Sequence, residues 1–99
     1  MKHAQSFEHA AEIVAQDFVN TMLEEGFESF NEMRKCYWWE PSDIRQEMSY
    51  SVGSLTDNCS FWDDGSYVEL DGKGEMPYKD FKRMVLSRVD DIMKDQNRY

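Results

Sequence analysis

Residues 59–93 read CSFWDDGSYVELDGKGEMPYKDFKRMVLSRVDDIM, and their pattern changes from strand-like to helical along the way. Two short runs of β-forming residues, at 61–62 and 67–70, flank the turn-forming segment 63–66, so this part predicts a β-hairpin. From Pro77 onward, apolar residues recur every three or four positions, which is the period of an amphipathic helix, and proline suits a first helical turn. The hairpin and the helix after it place the chain in the α+β class.

A helix is predicted on each side of Pro41. The segment Ser29–Glu32 matches a capping box, in which the serine and the glutamate side chains each accept a hydrogen bond from the other residue's backbone N–H. Proline disfavours helical geometry in the residue before it, so we expect this helix to span residues 29–40. Ser42 is expected to cap the next helix, which should end at residues 57–58.

A further helix is expected near the start of the sequence. Ser6 can cap it, apolar residues at helical spacing continue to Met22, and Gly26 tolerates the left-handed conformation that often follows a helix. The sequence thus predicts an α+β fold, mostly α, with about four helices and a short β-hairpin before the last helix. Its 99 residues are expected to form one domain, 1–99, because single domains cluster near this length.

Charge and composition exclude several classes of partner. The chain has 20 acidic and 11 basic residues, which gives a net charge of −9. We expect no direct binding to nucleic acid, because neutralising phosphates requires clustered Lys and Arg, and no binding to anionic membranes. Two cysteines, Cys36 and Cys59, are fewer than a small secreted domain usually carries. We therefore expect a cytoplasmic protein with reduced cysteines, and a disulfide between the two is the alternative.

The acidic residues are concentrated in two parts of the sequence. One group surrounds the first predicted helix–helix turn, and the other lies in the predicted hairpin turn. They are Glu24, Glu25, Glu28 and Glu32 in the first group and Asp63 and Asp64 in the second. Such groups usually form a solvated face, and the alternative is a face that binds a basic partner through electrostatic attraction.

Motifs for catalysis are missing from the sequence. It has no Gly-x-Ser-x-Gly, phosphate-binding loop or dinucleotide fingerprint, and its histidines, His3 and His9, both lie in the first nine residues. Residues 69–80 resemble an EF-hand loop, but Lys73 stands where a ligand oxygen is needed and Asp80 is short for the bidentate last position. We therefore predict neither an enzyme, nor a metal site, nor a cofactor, and interpret this segment as a glycine turn before a helix.

Aromatic residues form the most unusual local feature. Tyr37, Trp38 and Trp39 are consecutive at a predicted helix end, and adjacent helical residues point about 100° apart, so they cannot all face one core. Exposed Trp and Tyr are typical of binding hot spots. We expect these three residues and Trp62 to contact a partner, and packing between helices is the alternative for each tryptophan.

In size and charge the chain resembles small acidic phage-type anti-defence proteins, such as anti-CRISPR and anti-restriction DNA mimics, with the six carboxylates named above as the carriers. This resemblance implies a cytoplasmic, non-enzymatic inhibitor. It would block a protein partner with a basic surface, such as a CRISPR or restriction complex, by placing carboxylates where nucleic-acid phosphates bind. The alternative function is a small helical structural or regulatory module that acts as a homodimer.

Overall fold

The computed structural model describes residues 1–29, 31–32, 35 and 41–97, and the side chains of all of these except 41–43. This part of the chain contains three helices and three strands. In chain order they are α1 (Phe7–Glu24), α2 (Pro41–Leu55), β1 (Cys59–Phe61), β2 (Tyr67–Leu70), β3 (Gly74–Pro77) and α3 (Tyr78–Asp95). The predicted class, α+β and mostly α with antiparallel strands before the last helix, is confirmed.

Helix α1 begins and ends as its sequence predicts. The Ser6 hydroxyl accepts a hydrogen bond from the His9 N–H at 3.0 Å, which satisfies one of the free donors of the first turn. At the other end Gly26 has a φ of +94°. The Gly26 N–H donates to Leu23 and the Phe27 N–H to Met22, at 3.1 Å each. This pair of bonds is a Schellman motif, which closes the helix on its last carbonyls.

Helix α2 begins at Pro41, two residues before the start predicted from a cap at Ser42, so that prediction is wrong and Ser42 lies within the first turn. Proline suits the first helical position, because its missing N–H would have no partner inside the helix and its φ is already helical. Helix α2 ends at Leu55, before the predicted exit at 57–58, and the Thr56 N–H still donates to Val52.

The capping box at Ser29 is present in altered form. The Glu32 N–H donates to the Ser29 hydroxyl at 3.2 Å, as predicted, but the Glu32 carboxylate accepts from the Glu28 N–H at 2.8 Å. The helix predicted over 29–40 falls largely outside the described residues. Within the described part of the chain, three helices stand in place of the predicted number of about four.

The three strands form an antiparallel sheet in the order β1-β2-β3. Cys59 pairs with Leu70 and Phe61 with Val68 across β1 and β2, which confirms the predicted hairpin. The added strand β3 pairs Leu70 with Gly74 and Val68 with Met76. Strand β3 supplies hydrogen-bond partners for the backbone groups on the edge of β2 that β1 does not cover.

The core lies between the helices and one face of the sheet. Helix α1 packs most extensively against α3 and also against α2, while β1 packs on α2, and β2 and β3 pack on α3. The largest fully buried side chains are Phe18, Phe81, Met22, Ile44, Met48, Leu70, Met93, Val14, Val19, Val52 and Val68. No helix in the described part of the chain has the length and apolar composition that crossing a bilayer requires.

The first residues are joined to the segment after α2. The Lys2 N–H donates to Leu55 at 2.8 Å, and the Asp57 N–H donates to Lys2 at 3.0 Å. The buried Asn58 amide accepts from the Ala4 N–H at 2.9 Å and donates to the Ala4 carbonyl at 2.8 Å. One side chain therefore satisfies both backbone groups of Ala4.

Candidate protein-binding surface

Backbone and side-chain hydrogen bonds together stabilise the turn between β1 and β2. The Trp62 N–H donates to the Tyr67 carbonyl, and the Gly65 N–H donates to the Trp62 carbonyl, at 2.9 Å each. Gly65 has a φ of +74°, where glycine is the residue of lowest cost. The Asp64 carboxylate accepts from the Ser66 N–H at 3.0 Å and from the Ser66 hydroxyl at 2.6 Å. These bonds lower the pKa of Asp64, so it stays ionised as it shapes the turn.

Exposed aromatic rings gather around this turn. Trp62 is 40% exposed and Tyr67 36%, and their ring centroids lie 4.5 Å apart. The Trp62 indole N–H also donates to the Glu69 carboxylate at 3.2 Å. Tyr50 on α2 is 71% exposed. Among the described residues, three of the four exposed large hydrophobic side chains are therefore these rings, and the fourth is Met1.

A cavity of about 470 Å³ lies between α2 and the turn, and we call it the turn groove. Its lining residues are Arg45, Gln46, Ser49, Tyr50, Phe61, Trp62, Asp63, Asp64 and Gly65. Phe61 joins the groove to the core, because its ring centroid lies 5.7 Å from that of Tyr78 and 6.4 Å from that of Phe81. The base of the groove is therefore packed against the core, and the exposed rings of Tyr50 and Trp62 line its opening.

Arg45 is fixed in the groove by its own contacts. Its guanidinium lies 4.9 Å from the centroid of the Tyr78 ring, within the range of a cation–π interaction. Its Nη2 donates to the Gly65 carbonyl at 3.3 Å. Asp63, by contrast, is exposed and has no hydrogen bond or ion pair to the described residues. The groove thus combines one internally bound cation with two carboxylates, those of Asp63 and Asp64.

The acidic residues predicted from sequence lie in two places. Trp62, Asp63 and Asp64 meet at the turn groove. Glu25 instead acts on Glu47 of α2: the pKa of Glu47 is raised by partial burial and then by the nearby carboxylates of Asp17 and Glu25. Neither Glu25 nor Glu47 is among the described residues that line the groove.

The remaining predicted site residues have no place in the groove. Glu24 is exposed in the last turn of α1, and Glu28 and Glu32 are exposed beyond it. In the sequence, these three residues lie close to Glu25. Tyr37, Trp38 and Trp39 lie outside the described residues, so their proposed contacts stay predictions.

Tyr50 and Tyr67 were not among the residues predicted to form this surface. A period of two could have found Tyr67, because it alternates with Val68 and Leu70, which are buried. A period of 3.6 could have found Tyr50, because it lies off the buried stripe that includes Met48 and Val52 on α2.

The reactive residue types have structural roles in this fold. The His9 imidazole accepts from the Gln5 N–H at 2.9 Å, and the His3 imidazole lies 3.1 Å from the Asp57 carboxylate. Cys59 is a buried free thiol, and burial, followed by the charge of Asp71, raises the pKa of this thiol to about 11. The described residues contain no group of three or more His, Cys, Asp or Glu side chains that could hold a metal ion.

The segment that resembles an EF-hand loop forms two strands and a turn. Residues of β2 and β3 pair across it, with Glu69 opposite Glu75. Gly72 in the connection has a φ of +78°, and Gly74, the first residue of β3, has a φ of +89°. This geometry agrees with the interpretation of a glycine turn.

Comparison with known proteins finds no matching family model, no matching curated protein and no matching solved structure.

Proposed function

We propose that this protein is a non-enzymatic inhibitor that binds a basic surface of a protein partner. The carrying observation is the turn groove, which is lined by the exposed rings of Tyr50 and Trp62 together with Asp63 and Asp64. The exposed Tyr67 ring packs on Trp62. Aromatic rings supply desolvated contact area with few torsions to fix, and they are enriched at interface hot spots. The carboxylates select a partner of positive charge.

The charge of the whole chain favours a partner that handles nucleic acid. With a net charge of −9, the protein is attracted to the kind of basic surface that holds phosphates, and such attraction speeds association. Occupation of that surface excludes the nucleic acid and inhibits the partner. CRISPR and restriction complexes, named by the resemblance in size and charge, are partners of this kind.

A pull-down with the tagged protein from a nuclease-treated host lysate, read by mass spectrometry, tests the proposal. We expect capture of a nucleic-acid-handling protein, release of that protein by excess duplex DNA, and weaker capture as salt is raised. Trp62→Ala is expected to reduce capture strongly. Asn20→Ala serves as the control, since Asn20 is exposed, carries no charge and lies outside the groove.

Other outcomes contradict the proposal in different ways. Capture that persists in excess DNA contradicts competition for a nucleic-acid site. Recovery of the bait alone, together with a salt-insensitive dimer in sedimentation, favours the homodimeric module. Equal capture by Trp62→Ala and by the unchanged protein contradicts the turn groove as the contact surface.

A further inference from the structure

We propose that the turn groove receives the side chain of an arginine from the protein partner. This inference rests on the proposed function, because it specifies which partner group enters the surface. Four properties of the groove support it: the internal guanidinium, the unpaired carboxylate, the exposed rings and the position beside a fixed turn.

The groove already holds one guanidinium in the manner we infer for a second. Arg45 stacks over the Tyr78 ring and donates to the Gly65 carbonyl. A planar, weakly hydrated guanidinium suits a wall of aromatic faces and backbone oxygens better than the strongly hydrated ammonium of lysine does. Because Arg45 has these partners, and no ion pair joins it to Asp63 among the described residues, its charge leaves the Asp63 carboxylate available.

The available carboxylate oxygens complement an incoming arginine. Asp63 has no hydrogen bond to the described residues, so both of its oxygens can accept. Asp64 uses Oδ1 for both bonds to Ser66, which leaves Oδ2 for another donor. A guanidinium has five N–H donors in a planar fork that can satisfy such oxygens in pairs.

The rings beside these oxygens can cover the faces of the guanidinium. Tyr50 lines the groove from α2 and Trp62 from the turn, and both are exposed. A cation over such faces gains a cation–π interaction. An apolar side chain would gain only contact area, and an anion would be repelled by two carboxylates facing a single internal cation.

The turn holds two of these groups in position before binding. Trp62 is held by Tyr67 and Glu69, and Asp64 by Ser66. Groups that are already ordered lose little conformational entropy when a ligand binds. The Trp62 ring and the Asp64 carboxylate would therefore contact an arginine with little rearrangement.

The test is an NMR titration of the ¹⁵N-labelled protein with N-acetyl-arginine N-methylamide. N-acetyl-citrulline N-methylamide is the matched control probe, because it has nearly the same shape and no charge. We expect saturable shifts at the Trp62 indole and the amides of 62–65, with citrulline binding at least about tenfold more weakly. N-acetyl-lysine N-methylamide is expected to bind several-fold more weakly than the arginine probe.

Variants on the intact fold sharpen the assignment. Asp63→Asn is expected to weaken the arginine probe about tenfold and leave the rest of the spectrum unchanged, since Asp63 holds no other group. Asp91→Asn makes the same change at an exposed position of α3 outside the groove and should leave the titration unaltered. Equal binding of arginine and citrulline, equal binding of arginine and lysine, or an unaltered titration in Asp63→Asn overturns the inference.

The inference and the proposed function fail in separable ways. If the arginine probe does not bind the groove while DNA-sensitive capture of a partner is retained, the arginine assignment fails and the inhibitor proposal stands. If the probe binds as expected while no partner is captured, the inhibitor proposal fails. Groove shifts that grow with protein concentration in the absence of probe assign the site to a second copy of the chain and overturn the inference.

Discussion

The Trp62 and Tyr67 rings lie 4.5 Å apart between centroids, inclined at 43°, at the two ends of the β1–β2 turn. Each ring limits the motion of the other although both are partly exposed. Offset or tilted aromatic pairs contribute about 0.5–1.5 kcal/mol beyond their area burial. A surface that has ordered its own rings in this way loses less entropy when a partner covers it.

Removal of one ring tests this relationship. Tyr67→Ala is expected to lower the free energy of unfolding by about 1 kcal/mol, because Trp62 loses its stacking partner. Urea denaturation gives the stability, and the NMR signal of the Trp62 indole N–H reports the ring's environment. Tyr67→Phe keeps the ring and should change neither quantity substantially. Equal stability and indole signals in Tyr67→Ala and the unchanged protein would contradict a stabilising stack.

Asn58 is expected to be a major determinant of stability. Asn58→Ala leaves the buried N–H and carbonyl of Ala4 without their partners, which should lower the free energy of unfolding by about 2–3 kcal/mol. Urea denaturation measures the loss. Asn20→Ala is the matched control, since Asn20 is exposed and accepts only from the Gln16 side chain, and we expect a change within about 0.5 kcal/mol. Similar losses in both variants would show that the Ala4 bonds contribute little.

The carboxyl group of Glu47 should make stability depend on pH. Its folded-state pKa lies above the ordinary value of 4.5, because of burial and then Asp17 and Glu25. The folded protein therefore holds this proton more tightly than the unfolded chain. Ionisation of Glu47 lowers stability as pH rises from about 4.5 through the raised pKa.

Glu47→Gln is accordingly expected to stabilise the protein at pH 7 more than at pH 4.5. Urea denaturation midpoints of the variant and the unchanged protein at both pH values measure the difference. An equal gain in stability at the two pH values would contradict this prediction. The glutamine would then stabilise the protein through packing, because the gain would not depend on the protonation of Glu47.

Two glycine substitutions separate backbone strain from side-chain contact. Gly65 and Gly72 both have positive φ, +74° and +78°, but a Cβ at Gly65 would lie 3.2 Å from the Arg45 guanidinium carbon, whereas nothing lies within 4 Å at Gly72. Each change to alanine should lower the free energy of unfolding by about 1 kcal/mol through strain. Only Gly65→Ala should shift the NMR signal of the Arg45 Nε–H. A shift of that signal in Gly72→Ala as well would contradict the local contact.

Elements with their own start and stop signals were predictable from sequence. Ser6 and Gly26 bound α1 as expected, and the turn at 63–66 places the hairpin. Strand β3 was missed because Gly74–Pro77 contains few β-forming residues. Strand β3 forms because the edge of β2 that β1 leaves uncovered offers it backbone hydrogen bonds. A contact of this kind leaves no pattern in the sequence of β3 itself.

Only part of the candidate site was predictable, because the rest depends on contacts between residues that are distant in sequence. Residue type alone indicated Trp62, Asp63 and Asp64. The position of Arg45 follows from the approach of α2 to the turn, which joins residues 20 apart in sequence. No local pattern encodes that approach, so the groove and its internal cation emerge only from the tertiary structure.

The contacts of Ala4 have a consequence for the order in which the chain assembles during synthesis. Ala4 and Asn58 are 54 residues apart, so the backbone groups of Ala4 gain their partner only after the intervening segment has been synthesised. Helix α1 gains its most extensive packing partner, α3, later still. The apolar face of α1 that packs on α3 is therefore uncovered until α3 has been synthesised.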